Sequence, residues 1–152
     1  MFQLIVAVIS IALVAALAIA SIFYGGEAFT KSSEKANVTA LVNQAQQISG
    51  AYQLYKTDNG KAPSVITDLT SGNYLSALPT PSKVATSTWA FNAAGDKAEV
   101  KVNATGIDAG VCVEVVRQAG GVVTDGAITS RAAAPQFDCV LDGTDVKFAF
   151  KL

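Results

Sequence analysis

Residues 1–26, MFQLIVAVISIALVAALAIASIFYGG, decide the fold, because this stretch holds no charged residue. The run Phe2–Tyr24 is apolar except for three neutral polar side chains, those of Gln3, Ser10 and Ser21. A helix of about 20 apolar residues crosses about 30 Å of hydrocarbon. The stretch is therefore long enough to span a lipid bilayer as a helix.

Three interpretations of this run compete. A cleavable secretory signal has a basic region followed by about 7–15 apolar residues, whereas this run is longer and no basic residue precedes it. A plain membrane anchor carries Lys or Arg on its cytoplasmic flank, which sets its orientation. In the third interpretation a basic leader has been removed, and Met1 is the processed N-terminus. Only the third accounts for the missing basic flank.

The apolar run continues into an amphipathic helix, which we expect to end at the stop signal Asp58-Asn59-Gly60. The opposite face of that helix carries Lys, Asn and Gln. Apolar residues recur along it in steps of three and four, at Val38, Leu41, Val42, Ala45, Ile48, Tyr52 and Tyr55.

Gly25 and Gly26 interrupt the predicted helix between its apolar and amphipathic parts. Each glycine costs a helix roughly 1 kcal/mol relative to alanine. We expect this pair to mark either a bend where the helix leaves the membrane or a hinge where it melts.

A small antiparallel sheet is predicted after the helix. Residues 60–85 form a loop with one short helix at Ser64–Thr70, whose first residue is the N-cap and which Gly72 stops. Two β-hairpins follow and turn at residues 94–96 and 142–143. Alternation places a set of apolar side chains inward, namely Trp89, Phe91, Ala98, Val100, Val102, Val146, Phe148 and Phe150. The predicted fold class is α+β, a long N-terminal helical spine packed on a small antiparallel sheet.

The chain has two cysteines, Cys112 and Cys139, and no histidine. Two cysteines cannot supply the four ligands of a structural zinc site. They form one disulfide in an oxidising compartment, or remain two unrelated buried thiols inside a cell. The segment IDAGVCVEVVRQAGG fits a helix or a strand, and Asp108 as cap with Gly120-Gly121 as terminator favours a helix with the first cysteine on its inner face.

The composition argues against several functions. The net charge is −1 and no Lys/Arg cluster occurs, so nucleic-acid binding is not expected. Without histidine the commonest general base is missing, and we expect neither an enzyme nor a cofactor. The sequons Asn37-Val38-Thr39 and Asn103-Ala104-Thr105 are short patterns that we interpret as chance matches.

These features together resemble a type IV pilin. The apolar run is similar to the mature start of a pilin after prepilin peptidase cleavage, and its first methionine and the helix-containing loop indicate the type IVb branch. Residues 48–63, ISGAYQLYKTDNGKAP, are similar to the end of the spine helix in pilins and pseudopilins. Cys112 and Cys139 are similar to the pair that bounds the pilin D-region. Where the family carries a glutamate at the fifth residue, to neutralise a neighbouring subunit's amine, this chain has Ile5.

The resemblance implies a division of the chain and a set of site residues. Met1 would be a processed N-terminus and a candidate for methylation. The implied parts are a transmembrane or filament-core helix (1–26) and a head domain (27–152), the latter comprising the second half of the spine (27–59), an αβ-loop (60–85) and a sheet (86–152) with a disulfide-bounded loop (112–139). The implied filament-core residues are Leu4, Ile5, Val6, Val8, Ile9, Ile11, Leu13, Val14 and Leu17.

The resemblance also implies a function and partners. The expected protein is a structural subunit of an extracellular pilus on a bacterial surface, used for adhesion, motility, DNA uptake or conjugation. Its expected partners are further copies of itself in a helical homopolymer, the prepilin peptidase, the inner-membrane assembly machinery and, before assembly, the lipid bilayer. Two alternatives remain: a minor pilin or type II secretion pseudopilin, and a monomeric membrane-anchored binding domain.

Overall fold

The structure, a computed structural model, describes residues 1–102, 110–124 and 127–152, and for residues 26–30 and 127 it describes the backbone alone. The chain forms two compact units, Met1–Lys35 and Ala36–Leu152. The elements in chain order are α1 (Phe2–Asn59), α2 (Asp68–Ser71), β1 (Ala90–Phe91), β2 (Lys97–Lys101), α3 (Val111–Gln118), β3 (Val122–Thr124), β4 (Ala127–Ser130), β5 (Phe137–Asp142) and β6 (Asp145–Lys151).

Helix α1 supplies one wall of the core of the unit Ala36–Leu152, which is called the head below. Its inward side chains from Val38 to Tyr52 are buried, and the polar side chains of the opposite face are exposed. The helix ends at Asn59 because Gly60 adopts a φ of +66°, a left-handed conformation that glycine takes without strain. The predicted amphipathic face and its stop are confirmed.

A four-stranded antiparallel sheet packs against this helix, with strand order β1-β2-β6-β5. The central pair sets Ala98 opposite Phe150 and Val100 opposite Phe148, so that four buried side chains share the inner face. The predicted fold class, a long N-terminal helix packed on a small antiparallel sheet, is confirmed. Both predicted hairpins are present, although β1 is only two residues long.

The core is centred on Phe148, which is fully buried. Its ring lies edge-on to that of Trp89, with centroids 6.0 Å apart. The Trp89 indole N–H donates to Gln44 Oε1 on α1 at 3.3 Å, and Gln44 Nε2 donates to the Thr80 carbonyl at 2.8 Å. One glutamine thus connects the helix, the long loop and the edge of the sheet.

Two local predictions differ from the structure. The short helix predicted near Ser64–Thr70 is present and Gly72 follows its end, but it spans only Asp68–Ser71, so the predicted start with Ser64 as N-cap is wrong. The reason is that the Asp68 carboxylate accepts the backbone N–H groups of Ser64 and Val65 at 2.9 and 3.1 Å. These bonds hold the preceding residues in a turn, and the helix begins only after it.

The region around Cys112 is helical, as predicted, but it starts later than the sequence suggested. Helix α3 begins after Gly110, and the predicted cap Asp108 lies outside the described residues, as does the sequon at 103–105. Gly121 follows the helix where an added Cβ would lie 2.4 Å from Val116 Cγ1 and 2.7 Å from the Ser130 carbonyl oxygen. The backbone of β4 therefore approaches too closely for any other residue. This β3–β4 hairpin was not predicted.

Candidate functional site

The first candidate site is the surface of the apolar segment Phe2–Gly25. This segment is 24 residues long with a mean hydropathy of 2.9, which is enough to cross a membrane by length and composition. Each of its large apolar side chains is at least half exposed within the chain. The nine predicted filament-core residues are all among them. An apolar surface of this extent requires lipid or protein to cover it.

The polar groups of the apolar segment are satisfied within the helix. Ser10 Oγ donates to the Val6 carbonyl and Ser21 Oγ to the Leu17 carbonyl, each at 2.8 Å. Neither hydroxyl therefore needs water, so both tolerate an apolar surrounding. A shallow apolar groove of about 380 Å³ runs along one flank, lined by Ser10, Ile11, Val14, Ala15 and Ala18.

Gly25 and Gly26, the predicted hinge, lie within helix α1. Apart from its chain neighbours and the backbone of its own helix, Gly25 has no described atom within 4 Å of the position of an added Cβ, so no packed neighbour in the described chain requires a glycine there. Helix α1 continues through Gly26. Melting at this pair stays a prediction, as do the processing and methylation of Met1.

Ile5 is exposed, and its N–H donates to the Met1 carbonyl at 3.3 Å.

The second feature of the sequence, the cysteine pair, forms a disulfide. Cys112 and Cys139 are bonded with their Cα atoms 5.7 Å apart, and both side chains are buried. The bond joins α3 to β5, the edge strand of the four-stranded sheet. Glu114 on the same helix is buried and is paired with Arg117, while its Oε1 accepts Gln118 Nε2 at 3.1 Å.

A group of ion pairs occupies the outer face of the sheet, and the sequence did not predict it. Lys147 Nζ lies between the carboxylates of Glu99, at 3.3 Å, and Asp142. Lys101 Nζ pairs with Asp145 Oδ2 at 2.6 Å. Along the edge, Asp138 pairs with Arg131 and also accepts the backbone N–H of Cys139. Within the described residues no group of three or more carboxylates or cysteines is placed to hold a metal ion.

The contact between Lys147 and Asp142 shifts both titrations. A hydrogen bond from Lys147, with its charge, lowers the pKa of Asp142 below the ordinary 3.8. The same hydrogen bond raises the pKa of Lys147 above the ordinary 10.5 although partial burial opposes this. Both shifts favour the charged pair, so both groups stabilise the fold at neutral pH.

We expect Asp142→Asn to lower stability at neutral pH but not in acid. A lowered folded-state pKa contributes stability that is present above the unfolded-state value and is lost as the pH falls through the folded-state value. The difference from wild type should thus begin to shrink as the pH falls towards the ordinary pKa of 3.8, and it should disappear only below the lowered folded-state pKa. Urea unfolding across this range checks the prediction. Asp58→Asn, at an exposed carboxylate on α1, is the control and should lose no stability at either pH. An Asp142→Asn deficit that does not shrink as the pH falls from neutral through 3.8 would contradict the prediction.

No family model, curated protein or solved structure matches this chain. The long apolar N-terminal helix, the small antiparallel sheet and the disulfide are consistent with a pilin-like fold.

Proposed function

We propose that this protein is a structural subunit of a type IV pilus, of the type IVb-like major pilin kind, which polymerises through its apolar segment. The observation that carries the proposal is that one helix, α1, supplies both an exposed apolar surface and the buried face of the head core. A simple membrane anchor needs only the exposed apolar surface. A filament subunit needs both, because the helix that holds neighbouring subunits together must also be fixed in its own head.

The physical basis of assembly is a change of surrounding for one apolar surface. Before assembly the lipid of the inner membrane covers Phe2–Gly25, and in the extracellular filament the same surface is covered by the helices of neighbouring copies. The groove beside Ala15 and Ala18 supports close helix approach, since small residues allow backbones to come near each other. Repeated head-to-tail contacts of this kind build an open helical polymer.

The isoleucine at position 5 changes how the amine of a neighbouring subunit would be held. An unpaired ammonium in an apolar filament core is costly. In this proposal Gln3 or a backbone carbonyl accepts a hydrogen bond from it in place of the usual carboxylate. The proposed filament would serve adhesion, motility, DNA uptake or conjugation. We propose no enzymatic activity for its subunit.

Substitution of Ala15 tests whether the groove packs helices. Ala15→Phe keeps the segment apolar, so membrane insertion should be retained, but it fills the groove with a large ring. Overpacking costs about 1–3 kcal/mol per site, and every subunit in the polymer repeats it. We expect about tenfold less filament in sheared surface fractions, measured by electron microscopy and immunoblotting, with an unchanged membrane pool.

The control is Ile22→Leu, a volume-conserving change on the same segment, which should leave filament yield unchanged. Wild-type amounts of filament from Ala15→Phe would refute the groove as a packing surface. Wild-type cells with no filaments containing this chain would refute the major-pilin proposal itself. Sparse protein at filament tips would favour the minor pilin or pseudopilin alternative, and a purely monomeric membrane protein would favour an anchored binding domain.

A further inference from the structure

The outer face of the four-stranded sheet, which points away from the core, carries two pairs of lysines in direct opposition. Lys97 on β2 faces Lys151 on β6 at one end, and Lys101 faces Lys147 at the other. Like charges directly opposite each other across a sheet are destabilising. The register of β2 and β6 therefore creates the same electrostatic conflict twice.

Both lysine pairs lie at positions where opposing side chains are close. The N–H of Leu152 donates to the Asp96 carbonyl, and that of Val102 to the Val146 carbonyl, each at 2.9 Å. Hydrogen-bonded and non-hydrogen-bonded pairs alternate along an antiparallel ladder, and side chains are closer in the latter. Because these hydrogen-bonded pairs adjoin the lysine pairs, both lysine pairs are of the non-hydrogen-bonded kind.

One end of the face neutralises its lysines. Lys147 contacts the carboxylates of Glu99 and Asp142, and Lys101 contacts that of Asp145. Three carboxylates thus surround two ammonium groups, and the conflict at this end is resolved within the chain.

The other end lacks such neutralisation. In the part of the chain that the structure describes, no carboxylate lies within ion-pair distance of Lys97 or Lys151. The acids of this neighbourhood are engaged elsewhere: Glu99 with Lys147, Asp138 with Arg131 and the Cys139 N–H, and Asp96 with the side-chain amide of Asn92 at 2.7 Å.

A cavity of about 200 Å³ adjoins the unneutralised pair. Both lysines line it, together with Gln136, Asp138 and Ala149. Its rim is fixed, because Lys151 N–H donates to the Gln136 carbonyl at 2.8 Å and Gln136 Nε2 donates to the Lys151 carbonyl at 2.7 Å. Two cationic side chains therefore border one small recess with a defined backbone.

We propose that Lys97 and Lys151 form a binding site for the phosphate group of a small soluble ligand. A phosphate monoester carries a charge of about −1.5 to −2 at pH 7 and three acceptor oxygens, so one group matches both ammonium ions. A single carboxylate would neutralise only one of them. Lysine binds phosphate as a point charge, and the Asp138 carboxylate is held by Arg131, which limits its repulsion of the anion. This site is independent of filament assembly.

Binding is tested by nuclear magnetic resonance on the full chain in dodecyl maltoside micelles. Inorganic phosphate and glucose 6-phosphate are titrated separately at constant ionic strength, with sodium chloride as the reference anion. We expect saturable shifts of the Lys97, Ala149 and Lys151 amides with both phosphates. Lys97→Ala and Lys151→Ala should each weaken binding about fivefold, the equivalent of ~1 kcal/mol for an exposed ion pair. Lys101→Ala, the matched control on the same face, should leave affinity within about twofold.

Thermal unfolding gives a second, independent readout. Without phosphate, Lys97→Ala should unfold at a temperature equal to or above that of wild type, because it removes a like-charge pair. Phosphate should stabilise wild type and not the double variant Lys97→Ala/Lys151→Ala, since only a chain that binds the ligand gains stability from it. Shifts with phosphate that match those with chloride, or shifts that persist in the double variant, would overturn the proposal.

Discussion

Removal of both cysteines, as Cys112→Ser/Cys139→Ser, is expected to lower the free energy of unfolding by about 3–3.5 kcal/mol. The bond closes a loop with a sequence separation of 27 residues, which restricts the unfolded chain. In the folded chain it fixes α3 to the edge strand β5. Urea unfolding of the full chain in dodecyl maltoside, followed by the fluorescence of the single tryptophan, Trp89, measures the loss.

The disulfide variant should also change which part of the head opens first. Without the bond, the buried valines of α3 still anchor it, whereas β6 remains paired on both sides. Hydrogen exchange of the α3 amides should therefore accelerate more than that of β6.

The cysteine-to-serine variant removes the cross-link and also buries hydroxyl groups. Ala98→Ser is the control that buries a hydroxyl and keeps the cross-link. Ala98 is fully buried, so the variant places a serine in the core while keeping the disulfide. We expect it to cost about 1–3 kcal/mol without a selective effect on α3. A double cysteine variant within 1 kcal/mol of wild type, or uniform exchange across α3 and β6, would contradict a structural role for the bond.

The helix and its buried face were predictable because the signal is periodic and local. Apolar residues from Val38 to Tyr55 recur at helical spacing, and Gly60 supplies the left-handed stop. In the second hairpin, alternation places Val146, Phe148 and Phe150 on one face, and all three are buried. Both patterns depend only on residues close in sequence.

The β3–β4 hairpin was missed although the sequence carries a signal for it. An Asp-Gly dipeptide at 125–126 lies between VVT and AIT, a pattern typical of a tight hairpin. The strands are short, and Val122 and Thr124 are exposed, so no buried alternation marks them. Composition alone, rich in Gly, Ala, Ser and Thr, suggests a loop.

The charges of the outer sheet face could not be predicted, because they depend on register between distant strands. Alternation within β2 places Lys97, Glu99 and Lys101 on one face, but it does not identify β6 as the neighbour. Glu99 and Lys147 are 48 positions apart in the sequence. Only the tertiary fold shows that the acids neutralise one lysine pair and leave the other.

Phe148→Ala is expected to lower the free energy of unfolding by about 3–5 kcal/mol, the range for truncating a fully buried aromatic ring. The ring is fully buried on the central strand β6 and contacts Trp89 edge-on and Phe137 at a centroid distance of 5.8 Å. Truncation loses the transfer free energy of the ring and leaves a cavity that the rigid neighbouring strands cannot fill. Urea unfolding of the full chain gives the loss, and the midpoint should fall without a change in slope.

Two further variants distinguish a cavity from a general effect of truncation. Leu54→Ala removes a side chain on α1 that is 59% exposed, and should change stability by less than about 0.5 kcal/mol. Phe148→Leu keeps much of the apolar volume and should recover part of the loss. Phe148 lies directly opposite Cys139 across β5 and β6, so its truncation and removal of the disulfide should be non-additive. A Phe148→Ala loss equal to that of Leu54→Ala would show that this ring is not the centre of the core.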